Sequence, residues 1–394
     1  MRIAIFSDTY YPQINGVATA TYTLANVLKA KGNDVLVVTV GLEGQKKLTF
    51  EDGVVRIPGI VAKKLYSYTI ISIFSSKAYK IVKNFAPEVV HIQTEMGAGI
   101  FGRIVASSLK IPLIYTYHTM YEDYTYYVTK GIKPIDGIAK SMVASLSTLI
   151  GDSTTEFTTT SYKTKKALRR YGVKKYINVI PNGLNLDMFD VKNLDKTKLE
   201  ELKKKLGIED KFTILILGRL AKEKSNDVVL KNVRKYLDKY EDKDISILVV
   251  GDGPDKPNLE ALTKELKLND ITTFVGKVDH KLVPYYYNIS SLYVSASTSE
   301  TQGLTFNEAM ASKVVVMARY DDNLVEAIID RKTGFFFKDE ASFVKTLREV
   351  RSLSREELSK IEDQAYKNDM EKFSLDLYYE RMINVYRKAI RKYW

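Results

Sequence analysis

Short apolar runs and amphipathic helical stretches take turns along this chain, and the series plays out twice. The first series opens with "RIAIFS" and the helical "ATATYTLANVLKAKG". "DVLVVTV", "GVVRIPG", "EVVHIQT" and "PLIYTYH" follow as strands, with "GIFGRIVASSLK" as a helix between the last two, and "FTTTS" and "INVIPNG" complete it. After the charged helix "DKTKLEELKKKLG" the pattern restarts: "FTILILGRL", "ISILVVGDG", "ITTFVGKV", "SLYVSAS" and "VVVMARY", with helices between. Continuous apolar runs joined by helices make parallel strands buried on both faces. The predicted fold class is therefore α/β, two doubly wound Rossmann-like domains. The expected divisions are 1–190, 191–372 and a closing amphipathic helix over 373–394, a division that 394 residues accommodate.

Composition narrows the function classes. With no cysteine there is no disulfide framework and no thiolate metal site, which fits a reducing cytoplasm. No apolar run approaches the roughly 20 residues that span a bilayer. The opening "MRIAIFSDTYYPQINGV" lacks the long apolar segment of a signal peptide and is expected as a buried strand, so a soluble or peripheral protein is expected. The net charge of +12 is lopsided: residues 1–180 hold 23 Lys and Arg against 12 Asp and Glu, whereas residues 181–394 hold 37 against 36. A basic half suggests nucleic acid, anionic lipid or polyphosphate as partner; plain solubilising charge explains it as well.

Ligands of doubly wound sheets bind at the carboxyl ends of the strands, so the residues that follow each apolar run carry the chemistry. "ILILGRLAKEKS" places Gly218, Arg219 and Lys224 there, two cations able to clamp a diphosphate or to line a solvated loop. "LVVGDGPDKPNL" gives a Gly-Asp-Gly turn, explained equally well by a need for positive φ. "SASTSETQGLTFNEAMAS" places Glu300 before a glycine turn and Glu308 in the helix after it. Thr305 and Glu308 have capping-box spacing, so Glu308 either caps its own helix or accepts paired hydrogen bonds from vicinal ribose hydroxyls. The amides of Gly303, Leu304 and Thr305 at that helix start suit a phosphate. The one Asp-x-Asp triplet, Asp242-Lys243-Asp244, precedes a strand inside a charged run and reads as a solvated loop; with three histidines, a transition-metal site is not expected.

These motifs, with "IPNGLNLDMF" and "SDTYYPQINGVATAT" in the expected order over nearly the whole chain, resemble retaining glycosyltransferase family 4 of GT-B fold. The resemblance implies two Rossmann-like domains facing a central cleft, with a nucleotide-sugar donor in the second and an acceptor in the first, and a final helix that crosses back to the first. It implies that Arg219 and Lys224 stabilise the leaving diphosphate, Glu308 holds the ribose and Glu300 the donor sugar. Gly16 would admit the phosphates and sugar, and His118 would stand beside the anomeric carbon or a sugar hydroxyl. Ser225 departs from the Gly or Asn that relatives often carry there. No metal and no cofactor is implied beyond the co-substrate nucleotide sugar, since two cations and a helix dipole take the metal's place.

The segment "YHTMYEDYTYYVTKG" reads either as a tyrosine-rich loop packing on its neighbours or as an acceptor site. Its "HT-x-YEDY" pattern resembles the bacterial diacylglycerol glucosyltransferases, which makes Tyr121, Glu122, Asp123 and Tyr124 the expected acceptor-binding residues. That branch implies transfer of a hexose, with glucose from UDP-glucose the first choice, to the free hydroxyl of diacylglycerol. The enzyme would be cytoplasmic, held peripherally on the inner face of an anionic membrane. Segments 61–83 (Lys63, Lys64, Lys77, Lys80 and Lys83 with Tyr66, Tyr68 and Phe74) and 133–150 can lie in a headgroup interface or simply cover a sheet. The alternatives are a glycosylated lipid, teichoic-acid or protein acceptor with the same donor chemistry. A dehydrogenase fails for want of G-x-G-x-x-G after the first strand, and no motif supports nucleic-acid binding.

Overall fold

The computed structural model describes residues 1–394 apart from 14, 63–67, 121–132, 299 and 326; side chains of 61–70 and 133–135 are also outside the description. Tyr121, Glu122, Asp123 and Tyr124 thus lie outside the described residues, as do Lys63, Lys64 and Tyr66 and the side chain of Tyr68. The chain packs as two compact units, Met1–Gly183 with Leu375–Trp394, and Leu184–Ser374.

The first unit is built on an eight-stranded sheet. Its spatial order is Ile177–Val179, Glu156–Thr159, Leu113–Tyr117, Val89–Ile92, Arg2–Ser7, Asp34–Val40, Val54–Ile57 and Thr49–Glu51. All pairings are parallel except that of the last edge strand. Alternate residues of Arg2–Ser7 point to opposite faces: Ala4 and Phe6 join one buried cluster and Ile3 and Ile5 another. The second cluster is closed by the helices Gly16–Ala30 and Leu375–Tyr393, the latter through Tyr378, Met382, Ile383 and Tyr386. Lys388 and Lys392 of that helix pair with the buried Glu156. Gly183 lets the chain pass beside this helix, since a Cβ there would stand 2.8 Å from that of Tyr378.

The second unit holds a six-stranded, wholly parallel sheet in the order Thr272–Gly276, Ile245–Val250, Phe212–Leu217, Leu292–Ser295, Val315–Arg319 and Phe335–Phe337. It too is buried on both faces, Leu215, Val250, Tyr293 and Val316 facing one way and Ile214, Val249, Val294 and Met317 the other. In both sheets the strand order reverses beside the first strand of the unit, and the crevice outside such a reversal is where ligands of these sheets bind.

The short strands Thr49–Glu51 and Phe335–Phe337 escape a reading of hydrophobic period because three residues contain too little of it. Segment 61–83 is not helical throughout: the strands Gly59–Ala62 and Tyr68–Ile71 pair antiparallel, and a helix, Ser76–Phe85, begins only afterwards. Among the described residues no helix is long and apolar enough to cross a membrane.

Candidate active site

At the reversal point of the second sheet, Phe212–Leu217 runs into Gly218, Arg219 and a single 3-10 turn, Lys222–Lys224, before the helix Asn226–Tyr240. This loop is seated on the Gly-Asp-Gly turn after the neighbouring strand. Gly218 and Leu220 donate their amides to Val250 and Asp252 carbonyls, and Asp255 donates to Leu220, all at 3.0 Å. The seat leaves no room for side chains: a Cβ on Gly251 would lie 1.9 Å from the Gly218 carbonyl oxygen, and one on Gly253 2.2 Å from that of Leu220. Positive φ is half of the reason at Gly251 (φ +137°) and no part of it at Gly253. The turn's work is to hold the loop that carries the two cations.

Both cations are paired with acids. Arg219 bonds the nearly buried carboxylate of Glu223, and Lys224 Nζ lies 2.7 Å from Glu300 Oε1, a residue 76 positions away. Ser225 has φ +50° and ψ +39°, the left-handed conformation that Gly and Asn adopt at least cost, which is the physical reason those residues suit the position.

Glu300 and Glu308 flank the glycine turn as the sequence suggests, but the helix between them is not capped as expected. It spans Leu304–Ala311, with Gly303 at φ +78° as N-cap and no side-chain cap. Thr305 Oγ1 instead accepts a hydrogen bond from Tyr293 at 2.8 Å, and Glu308 Oε2 accepts one from the Tyr287 hydroxyl at 3.0 Å. The capping-box reading of Glu308 is thereby corrected: the helix has no side-chain cap, and the carboxyl takes the Tyr287 hydroxyl instead. The amides of Gly303, Leu304 and Thr305 have no backbone acceptor among the described residues, and the Glu300 carbonyl is held by Asn323. Burial pushes the Glu308 carboxyl up to about 7, against the opposing pull of the Tyr287 hydrogen bond. His280 Nε2 stands 4.0 Å from Glu308 Oε1. Burial lowers that imidazole, so the two do not form an ion pair at neutral pH.

In the first unit, Gly16 opens the helix Gly16–Ala30, whose N-terminus is capped by Asn15 accepting from the Ala18 amide at 2.9 Å. A Cβ on Gly16 would meet nothing within 4 Å, so the fold itself does not demand glycine there. His118 follows the strand Leu113–Tyr117 and is buried, which pushes its imidazole down to about 4. Its Nε2 lies 2.6 Å from Gln93 Oε1, an acceptor only, so the proton sits on Nε2. The Gln93 amide nitrogen in turn lies 2.9 Å from the buried His91 ring, whose nitrogens bond the Thr116 and Tyr386 hydroxyls at 2.7 and 2.8 Å. Nδ1 of His118 has no hydrogen-bond partner among the described residues and presents a lone pair.

Sequence reading missed Glu223, Gln93, His91, Tyr287 and Tyr386. Gln93 had a usable signal, since it follows the apolar run "EVVHI" at a strand end. Tyr386, 295 residues from His91, had none.

Known proteins share this chain's sequence pattern and fold. Residues 14–188 match the model of Glycosyltransferase Family 4 and residues 198–368 that of Glycosyl transferases group 1. The alpha-monoglucosyldiacylglycerol synthase of Acholeplasma laidlawii is 34% identical over 358 residues, 89% of this chain and 88% of that protein. The chain belongs to glycosyltransferase family 4. The synthase of the same name from Streptococcus pneumoniae is 35% identical to this glycosyltransferase over 352 residues, 89% of this chain and 78% of that one. Among solved structures, Anabaena Alr3699/HepE in complex with UDP-glucose (TM-score 0.75, 15% identity, 98% and 99% of the two chains) has the same fold. So has sucrose-phosphate synthase from Thermosynechococcus elongatus (TM-score 0.77, 18% identity, 98% of each chain). The glycosyltransferase is a hexosyltransferase of GT-B fold.

Proposed function

We propose that this enzyme transfers glucose from UDP-glucose to the free hydroxyl of diacylglycerol, with retention of the α configuration, at the cytoplasmic face of the membrane. The donor half rests on one observation: Lys224, in the loop that also carries Arg219, bonds Glu300, which with Glu308 flanks a helix start whose first amides have no backbone acceptor among the described residues, at the reversal point of a parallel sheet. The acceptor half rests on the two synthases above, whose names specify glucose and diacylglycerol.

In this reading Arg219, Lys224 and the amides of Gly303, Leu304 and Thr305 take up charge as the anomeric C–O bond to the diphosphate breaks. Preorganised cations and a helix terminus make a divalent ion unnecessary. Glu308 holds the ribose hydroxyls, and Glu300 a hydroxyl of the hexose. We assign Gly16 to close approach of the donor and His118, through Nδ1, to a sugar hydroxyl. The acceptor oxygen bonds to the anomeric carbon from the face the diphosphate leaves, and the acceptor proton passes to the departing phosphate oxygen. Tyr121, Glu122, Asp123 and Tyr124 are assigned to the acceptor.

The test is incubation with a panel of radiolabelled nucleotide sugars and diacylglycerol vesicles in excess chelator, with the product's anomeric configuration read by NMR. α-Glucosyldiacylglycerol formed from UDP-glucose is the expected product. A β-product, dependence on Mg²⁺ or Mn²⁺, or preference for another hexose or acceptor would each overturn the corresponding part.

A further inference from the structure

The helix Lys133–Asp152 turns an apolar stripe outward. Ile138, Met142, Leu146 and Leu149 recur at helical spacing within an arc of about 80°, and each is more than half exposed: 63, 60, 54 and 67%. The side that meets the rest of the unit carries Ser147, Gly151 and the partly buried Ile150: Ser147 bonds the Tyr117 hydroxyl, Gly151 lies against the Phe157 ring and Ile150 packs on the core. A helix that merely covers a sheet buries its largest apolar side chains rather than exposing four of them. An uncharged stripe of four large apolar side chains left in water calls for a partner.

The neighbouring element specifies which partner. The helix Tyr162–Arg170 and the turn after it lean on the end of the stripe helix. Thr148 Oγ1 donates to the Tyr171 carbonyl at 2.9 Å, and Asp152 Oδ1 accepts the amides of Lys174 and Lys175 at 2.9 and 2.8 Å. Residues 162–175 hold seven Lys and Arg, and no acid occurs between Glu156 and Asp187. Lys166, Arg169 and Lys174 are exposed, and exposed Tyr162 and Tyr176 stand among them. Apolar side chains beside interfacial tyrosines and a one-signed basic cluster are complementary to a bilayer with anionic headgroups.

We propose that the outward face of Lys133–Asp152, flanked by the basic helix Tyr162–Arg170, is the surface by which this enzyme inserts into the headgroup layer of an anionic membrane. The inference rests on the reading that the acceptor is a bilayer-borne diacylglycerol. The stripe helix follows the assigned acceptor residues 121–124 in the chain.

The test uses the full chain and two variants whose changes lie on the exposed surface, Met142→Glu/Leu146→Glu and Lys166→Glu/Lys174→Glu. Vesicles of phosphatidylcholine with and without phosphatidylglycerol, both containing diacylglycerol, are used for flotation. Met142→Glu/Leu146→Glu is expected to weaken partitioning into anionic vesicles about tenfold or more, and Lys166→Glu/Lys174→Glu about fivefold for each charge removed. Both should lose activity on vesicle-borne diacylglycerol in proportion, and keep wild-type activity on a short-chain diacylglycerol dissolved below its micelle concentration. Wild-type flotation of Met142→Glu/Leu146→Glu overturns the proposal. So does a wild-type dimer that this variant converts to monomer, since the stripe is then covered by a second copy. If no form of the enzyme glucosylates diacylglycerol while flotation is still lost in the variants, the docking surface stands and the acceptor reading falls.

Discussion

Lys224 Nζ and Glu300 Oε1 lie 2.7 Å apart, joining the loop after one strand of the second unit to the loop after its neighbour. The pair is mostly shielded, with side-chain accessibilities of 28 and 12%. If Lys224 serves the diphosphate and Glu300 the hexose, the same contact holds both donor groups in register. Lys224→Ala is expected to lower kcat/KM by about 10²-fold, the scale of losing one preorganised charge. Glu300→Ala should act mainly on kcat. The double variant should lose less than the product of the two, since members of one ion pair couple by about 0.5–3 kcal/mol. Strictly multiplicative losses in steady-state kinetics would show the two residues acting independently.

Glu308 makes donor binding pH-dependent with a definite sign. Its folded-state pKa of about 7 is raised by burial above the usual carboxylate value, so the folded protein binds the proton more tightly than the unfolded chain. The resulting stability is present below the unfolded value, near pH 4.5, and is lost as pH rises through about 7. The effect is on the order of 3 kcal/mol at most. Glu308→Gln should therefore raise Tm at pH 8 and change it little at pH 5. Donor KM should rise in the wild type as pH falls below about 7, because a protonated carboxyl accepts fewer hydrogen bonds from ribose. A pH-independent difference in Tm would contradict the assignment.

Two glycines with different reasons to be glycine should respond differently to alanine. Gly16 has space before it and ordinary φ, so Gly16→Ala should keep or slightly raise Tm while lowering activity through the approach of the donor. Gly251 has φ +137° and a carbonyl 1.9 Å from its missing Cβ. Gly251→Ala should cost about 1–3 kcal/mol from backbone strain alone, and more as the Arg219 loop is pushed off its seat. Calorimetry with donor titration separates them; full activity in Gly16→Ala would remove that residue from the site.

Gln93 sets which nitrogen of His118 carries the proton. In the wild type the imidazole should remain neutral, Nε2-protonated, above about pH 5, because burial pushes it down to about 4. Gln93→Glu places a carboxylate 2.6 Å from Nε2 and should raise the His118 pKa towards neutrality, adding an acid-side limb to the kcat profile. Gln93→Leu should lower kcat without moving Tm in proportion. Nitrogen NMR of the ring reads the tautomer directly, and a proton found on Nδ1 in the wild type would refute the account.

The two sheets and the Arg219, Lys224, Glu300 and Gly303 strand ends were legible because their signals are local. An apolar run reports a strand buried on both faces, and the polar residues that follow it mark a carboxyl end. Glu308 was legible as a candidate but its alternative was wrongly drawn, since Thr-x-x-Glu spacing predicts a cap wherever nothing else competes for the two side chains. Here Tyr287 and Tyr293 compete, and both stand outside the helix.

What the order of residues settled, then, is the alternation that makes two parallel sheets, the positions where strands end in charge and glycine, and the amphipathic period of 133–152. Those depend on neighbours a few residues apart. Tertiary structure alone decided which groups meet across 76 or 295 residues, as Lys224 meets Glu300 and His91 meets Tyr386. It also decided which way a two-sided helix is mounted. A hydrophobic period says that the two sides of Lys133–Asp152 differ; only packing shows that Ser147 and Gly151 face the unit while Ile138, Met142, Leu146 and Leu149 face out.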